Sequence, residues 1–168
     1  MEPLVRLASE SDLDSLVTIF RACWLTSYKD ILSQTVRDEM TQDKTREMWA
    51  KSVQSHPERT TFVIEEDGAP VGMARIGRDV INVDRGHLFS LYVHPDNAGR
   101  GLGKKLLRHS LGFLRENGFN EISLWVFKNN TPTRNLYSSL GFVKTGQERI
   151  DDRWKNLEIE MLAPSSLF

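Results

Sequence analysis

The run "HPDNAGRGLGKKLL", His94 to Leu107, constrains this 168-residue chain more than any other. Three glycines, Gly99, Gly101 and Gly103, fall within five positions, and Leu107, Leu111 and Leu114 then recur at i, i+4 and i+7. Upstream, "HLFSLYV" (87–93) is mostly apolar, as a strand covered on both faces must be. A strand, a glycine turn and an amphipathic helix make the first part of a βαβ unit, which "EISLWVF" (121–127) completes. That unit predicts one parallel strand pair. Glycines opening a helix also let a phosphate come close to backbone amides, because no Cβ intervenes.

Two owners of such a loop are excluded by spacing. A P-loop needs Gly-x4-Gly-Lys followed by Ser or Thr. Here Ala98 stands at the first glycine and Lys105 at the hydroxyl position. A dinucleotide loop needs G-x-G-x-x-G, and Lys104 takes the third glycine's place. What remains is either a tight β-to-α turn or a cradle for a pyrophosphate. In the second case the amides of Gly99, Arg100, Gly101, Leu102, Gly103 and Lys104 wrap the anion, helped by the charges of Arg100 and Lys104.

The rest of the chain supplies a frame for this unit. "PLVRLA" (3–8) reads as a first strand, and a helix capped near Ser9 or Ser11 carries Leu13, Leu16, Val17 and Phe20, with Trp24 and Tyr28 extending the stripe. A second helix is predicted over 42–54, capped by Thr41. "TTFVIEEDGAPVGMARIGRDVI" gives two strands joined at Asp67-Gly68, a hairpin signal. The glycine-led helix spans 101–117, and "NNTPTRNLYSSLGF" is a further helix bounded by Pro132 and Gly141. Two last strands flank "DDRWKN" and end near Leu162. The order β-α-α-β-β-β-α-β-α-β-β predicts a mixed α/β fold, a largely antiparallel sheet flanked by helices. One domain is expected over 1–163, with 164–168 as a loose tail.

Composition excludes several function classes. With 22 basic and 23 acidic residues, a purely electrostatic binder of nucleic acid or membrane is not expected. No apolar run reaches the roughly 20 residues of a membrane span, and "MEPLVRLASE" lacks a signal-peptide core. Cys23 is the single cysteine, consistent with a cytoplasmic location and read as a small buried hydrophobe. The four histidines have no metal-ligand spacing, so no metal is expected.

Taken with its flanks, "LYVHPDNAGRGLGKKLL" resembles the acetyl-coenzyme A motif of the GCN5-related N-acetyltransferases (GNAT), written R/Q-x-x-G-x-G/A. "NNTPTRNLYSSLGF" is similar to that family's later "N…A…Y…LGF" element. Both occur in order, and the likeness is strongest over 62–145. Two positions depart from the pattern: Ala98 replaces the R/Q side chain, and Thr133 replaces a frequent alanine. The resemblance implies a GNAT-like acyl-CoA N-acyltransferase fold and transfer of an acetyl group from acetyl-CoA to a primary amine within a ternary complex.

Such a transfer meets two obstacles. A primary amine with a pKa near 10 leaves about one molecule in a thousand nucleophilic at neutral pH, a penalty of roughly 4 kcal/mol. Negative charge also develops on the thioester oxygen and needs a preplaced donor. The resemblance assigns that donor to the amide of Leu91 and a pantetheine contact to Val93. It assigns protonation of the departing thiolate to Tyr137, and a hold on the cofactor arm to Asn130. Where the family often has a glutamate base, this chain has His87, chemically competent near neutral pH. Ser90, ordering a water chain, is the alternative.

The acceptor site is expected between the first two helices and the terminal hairpin. Trp24, Tyr28 and Trp154 are candidate walls, and Asp151 or Asp152 a candidate attractor for a cation. Partners are therefore acetyl-CoA and an amine, with no nucleic acid or membrane; dimers are common among similar proteins. The competing reading is a catalytically silent CoA-binding regulatory module of the same fold, which has no use for a thiolate acid at Tyr137.

Overall fold

The computed structural model describes residues 2–54 and 56–168. Its strands are β1 (Leu4–Leu7), β2 (Arg59–Glu66), β3 (Ala69–Arg78), β4 (Gly86–Val93), β5 (Glu121–Phe127), β6 (Val143–Asp151) and β7 (Asn156–Pro164). Its helices are α1 (Leu13–Leu25), α2 (Gln34–Glu39), α3 (Gln42–Val53), α4 (Leu102–Glu116) and α5 (Thr131–Ser139). The sheet runs β1-β2-β3-β4-β5-β7-β6. Only β4–β5 is parallel; every other pair is antiparallel. This is the mixed α/β fold expected from the sequence, parallel pair included.

Local chemistry explains the elements that position the site. Asp67 and Gly68 both take positive φ (50° and 81°), the backbone of a tight hairpin turn, and so join β2 to β3. Thr41 caps α3 by accepting from the Lys44 amide at 3.3 Å. α4 buries Leu102, Leu106, Leu107, Leu111 and Leu114 against β2, β3 and β4. Each such side chain contributes about 2 kcal/mol on leaving water, so this helix is firmly fixed on its sheet face. With α5 it covers a core that includes Ile64, Ile76, Leu124 and Phe142. On the other face α1 and α3 enclose Phe20, Trp24, Trp49, Val63 and Met73.

Three features depart from the sequence-based expectation. α2 is an additional short helix with no buried residue, so no apolar stripe announces it. α1 ends at Leu25, before Tyr28, which sits in the turn that follows. The tail is tied down: Ser165 donates to the Asn120 carbonyl at 2.8 Å, and the Phe168 ring packs 5.9 Å from Phe142. No helix among the described residues is long and apolar enough to cross a membrane.

The sheet is interrupted where the chemistry is expected. In the β3–β4 register Arg75 faces Ser90 while Ile76 faces Leu88, so Phe89 is an extra, bulged residue. A bulge bends its strand and strengthens the local twist. β4 and β5 accordingly pair only at Gly86↔Ile122, His87↔Ser123 and Leu88↔Leu124. Beyond that point the two strands separate.

Candidate functional site

The gap between β4 and β5 opens into a cavity of about 360 Å³. Leu91 and Tyr92 line it from β4, Trp125 and Phe127 from β5, and Asn130, Thr133 and Tyr137 from the start and body of α5. The register also aims backbone donors at it. His94 donates its amide to the Val71 carbonyl of β3 at 2.8 Å. Amides along a strand alternate between its two edges, so those of Leu91 and Val93 point to the β5 side, where no strand pairs with them. A ligand arm laid there meets the same donors that a strand would.

The glycine loop stands at one end of this opening. Gly99 and Gly101 take φ of 75° and 79°, the left-handed region that a side chain resists, and Gly101 leads directly into α4. The amides from Gly99 to Lys104 make no hydrogen bond within the chain among the described residues; the first helical bond runs from Lys105 to the Gly101 carbonyl. Six successive free donors at the N-terminus of a 15-residue helix form an anion cradle. Gly103 approaches β4 closely, since a Cβ there would lie 3.5 Å from Val93. Arg100, expected to reach a phosphate, instead donates to Glu66 at 2.6 Å, and Asn97 donates to the same Glu66 oxygen at 2.9 Å. The latch holds the loop against the end of β2, which suits a loop that lacks the R/Q side chain at Ala98. These donors and the opened ladder fit the pyrophosphate and pantetheine arm of coenzyme A.

Tyr137 is 5% exposed and turned into the cavity. Burial raises its phenol well above the usual tyrosine value, so it holds its proton throughout the neutral range. Asn130 caps α5 by accepting from the Thr133 amide at 3.4 Å, which leaves its amide group free to face the cavity. Cys23 donates its thiol to the Val93 carbonyl at 3.1 Å, fastening α1 to the open edge of β4.

His87 does not line the cavity. Its Nδ1 lies 2.7 Å from Ser123 Oγ, and Ser123 in turn donates to Asp79. Burial alone would raise Asp79, but hydrogen bonds from His87, Ser123 and the Ile81 amide outweigh it and hold the carboxyl below the ordinary range. Phe89, which does line the cavity, packs tilted against the His87 ring, centroids 4.6 Å apart. The cluster pins the β3–β4 loop where β4 and β5 are still paired.

The acceptor side differs from expectation in its charge. Tyr28, Ser90 and Trp154 line the cavity, while Trp24 lies behind them, 1% exposed and 4.7 Å from Trp154. Asp151 is consumed in the β6–β7 turn, where one oxygen accepts from the Arg153 and Trp154 amides at 2.8 and 2.9 Å, and it does not reach the wall. The sequence reading missed the charged groups that do: Arg59, Arg75, Arg153 and Glu158. Glu158 is 8% exposed; burial pushes its carboxyl upward, opposed by a 2.8 Å hydrogen bond from Arg149. A carboxylate raised in this way and facing a cavity has the character of a general base. No cluster of three or more metal-ligating side chains occurs among the described residues.

Known proteins resemble this chain in sequence and in fold. The family model described as "Acetyltransferase (GNAT) family" matches residues 13–142. L-amino acid N-acyltransferase MnaT of Escherichia coli is 30% identical over 147 residues, spanning 85% of this chain and 81% of its own. The PaiA N-acetyltransferase of Thermoplasma acidophilum, solved with coenzyme A, superposes with a TM-score of 0.78 at 21% identity, covering 95% of this chain and 98% of its own. YncA of Salmonella typhimurium, solved with its cofactor acetyl-CoA, superposes with a TM-score of 0.74 at 22% identity, covering 98% and 95%. At these identities the two structures speak to the fold alone.

Proposed function

Since the chain belongs to the GNAT family and is an acetyl-CoA-dependent N-acetyltransferase, we propose how its own residues carry the transfer. Acetyl-CoA supplies an activated acyl group, a thioester ready for attack by an amine. The amides of the glycine loop hold the pyrophosphate, and the free edge of β4 aligns the arm. The Leu91 amide donates to the thioester oxygen as negative charge develops there, the place where a fixed donor contributes most. Glu158 takes the proton that keeps the acceptor amine unreactive. Tyr137 gives its proton to the departing sulfur. We assign the base to Glu158 rather than His87, because Glu158 faces the cavity and the His87 ring is turned to Ser123.

The observation that carries this reading is convergence. The free β4 edge and the cavity that holds Tyr137 and Glu158 meet where β4 and β5 separate, and the loop amides stand at the end of that opening. A catalytically silent CoA-binding module needs the loop but has no need of an acid and a base in the same cavity. Both groups serve direct attack in a ternary complex, with no acyl-enzyme.

Acetyl-CoA and a panel of amines (L-amino acids, named for the Escherichia coli relative, with polyamines and peptides) test it by release of free thiol. The expected result is release with at least one acceptor and intersecting initial-velocity lines. Parallel lines would indicate a covalent intermediate and remove direct attack. No release from any amine would overturn the catalytic reading.

A further inference from the structure

Arg59 and Arg75 lie on neighbouring strands and the same face of the sheet. Arg75 faces Thr61 in the β2–β3 register and Arg59 faces Gly77, two positions along each strand. Gly77 is required there, since a Cβ would come within 2.1 Å of the Glu58 carbonyl. Both arginines line the cavity and the groove that leads into it. Neither guanidinium pairs with a carboxylate among the described residues. Arg59 lies 4.3 Å over the Phe89 ring, whereas the Arg75 Nε is buried with no partner at all. Two adjacent, half-buried cations without a counter-ion repel one another, and a buried donor left unpaired is costly.

The surroundings have the same sign. Lys44, Lys51, Arg59, Arg75 and Arg153 border the groove against one carboxylate, Glu47. Across the gap stands a carboxylate, itself paired with Arg149 at 2.8 Å. Glu158 stands on β7 opposite Phe127, on the face covered by α1 and α3. The strand order therefore sets two cations, unpaired among the described residues, on β2 and β3 and, beyond the open β4–β5 edge, a carboxylate on β7 paired with Arg149 of β6.

We propose that Arg75 and Arg59 seat a carboxylate on the acceptor, so that the amine acetylated belongs to a free amino acid and not to a polyamine or a lysine side chain. The guanidinium fork matches the two oxygens of a carboxylate. With the anion held there, the amino group lies toward Leu91 and Glu158, where the transfer takes place. A polyamine would press a second cation on the arginine pair. Burial, and secondarily Arg59, lowers Arg75 from its usual value, as expected of a site that an anion completes. The inference rests on the acetyltransferase reading and adds acceptor selection to it.

The test uses the purified protein with acetyl-CoA, reading thiol release. Each of the common amino acids is paired with its own carboxamide, and spermidine and putrescine are added. At least one free amino acid should exceed its carboxamide in kcat/KM by tenfold or more, mainly through KM. In Arg75→Gln that ratio should fall to within about threefold, and Arg75→Lys should be intermediate, since lysine keeps the charge without the fork. Arg59→Gln provides the second measurement should Arg75→Gln fail to fold. Preference for carboxamides or polyamines, or a ratio unchanged in the folded variants, overturns the carboxylate seat while leaving the acetyltransferase reading intact. Failure of every amine defeats both.

Discussion

Arg100 donates to Glu66 at 2.6 Å, so the one arginine within the glycine loop is bound to an acid at the end of β2, two strands away from β4. Removing that arginine leaves Glu66 charged beside the phosphate cradle as well as freeing the loop. Arg100→Ala should weaken coenzyme A binding about tenfold, near 1.4 kcal/mol. Adding Glu66→Gln removes the stranded charge and should recover at least half of that free energy. Calorimetric titration of the two variants decides it; a double variant no better than Arg100→Ala would mean that Glu66 does not act on the ligand.

Tyr137 should matter to turnover and little to affinity. Tyr137→Phe keeps the ring that packs 5.8 Å from Phe142 and removes only the hydroxyl. A loss of about 100-fold in kcat is expected, the usual scale for a positioned acid, with the dissociation constant for acetyl-CoA changed less than threefold. Unchanged kcat with a working acceptor would take Tyr137 out of the chemistry.

Glu158 should set the acid limb of the pH profile. A base must be deprotonated, so the rate falls as pH drops through its pKa, which burial has raised above the usual 4.5. Glu158→Gln should abolish that limb and depress kcat. If the limb persists in the variant, it belongs to another group.

Acid stability should depend on Asp12. Hydrogen bonds from Arg6, at 2.7 and 2.8 Å, overcome burial and hold its carboxyl at about 2, below the ordinary 3.8. A lowered pKa contributes stability that is complete above about pH 4 and is lost as pH falls toward 2, on the order of 2 kcal/mol. Asp12→Asn should therefore cost about that much at pH 7 and almost nothing at pH 2. Urea unfolding at the two pH values measures the difference; equal losses at both would assign the effect to packing.

Cys23 should be inert. It is 4% exposed, and burial pushes its thiol up to about 12 despite its bond to Val93. Since the thiolate is the reactive species, thiol reagents should leave the native chain unlabelled and label it fully in denaturant. Rapid native labelling would show that α1 detaches from β4.

The residues that sequence reasoning identified share a property. The roles proposed for Gly99, Gly101, Asn130 and Tyr137 follow from local backbone or helix position, and both are written in short spacings. Arg59, Arg75 and Glu158 are single charges in three separate strands. Each reads as an ordinary solvent-facing residue until strand order and register bring them to one face. His87 shows the converse: the family resemblance places a base at its position along β4, but Ser123 and Asp79 come from elsewhere in the chain and claim the ring. Asp151 was legible as a turn residue, and the turn's own amides use it. α2 escaped because a helix with no buried face leaves no periodic trace.

Among the described residues, the three paired positions at Gly86–Leu88 are the only ladder that joins β1–β4 to β5–β7. The backbone ladder is thus short there, although one apolar core spans both sides of it, and in the binding mode proposed above an arm lying along β4 would lengthen the ladder with a removable piece. In that binding mode, coupling between the two halves of the sheet would vary with cofactor supply. Amide exchange at Leu91 and Val93, and the cooperativity of unfolding, would then be gauges of how much coenzyme surrounds the enzyme.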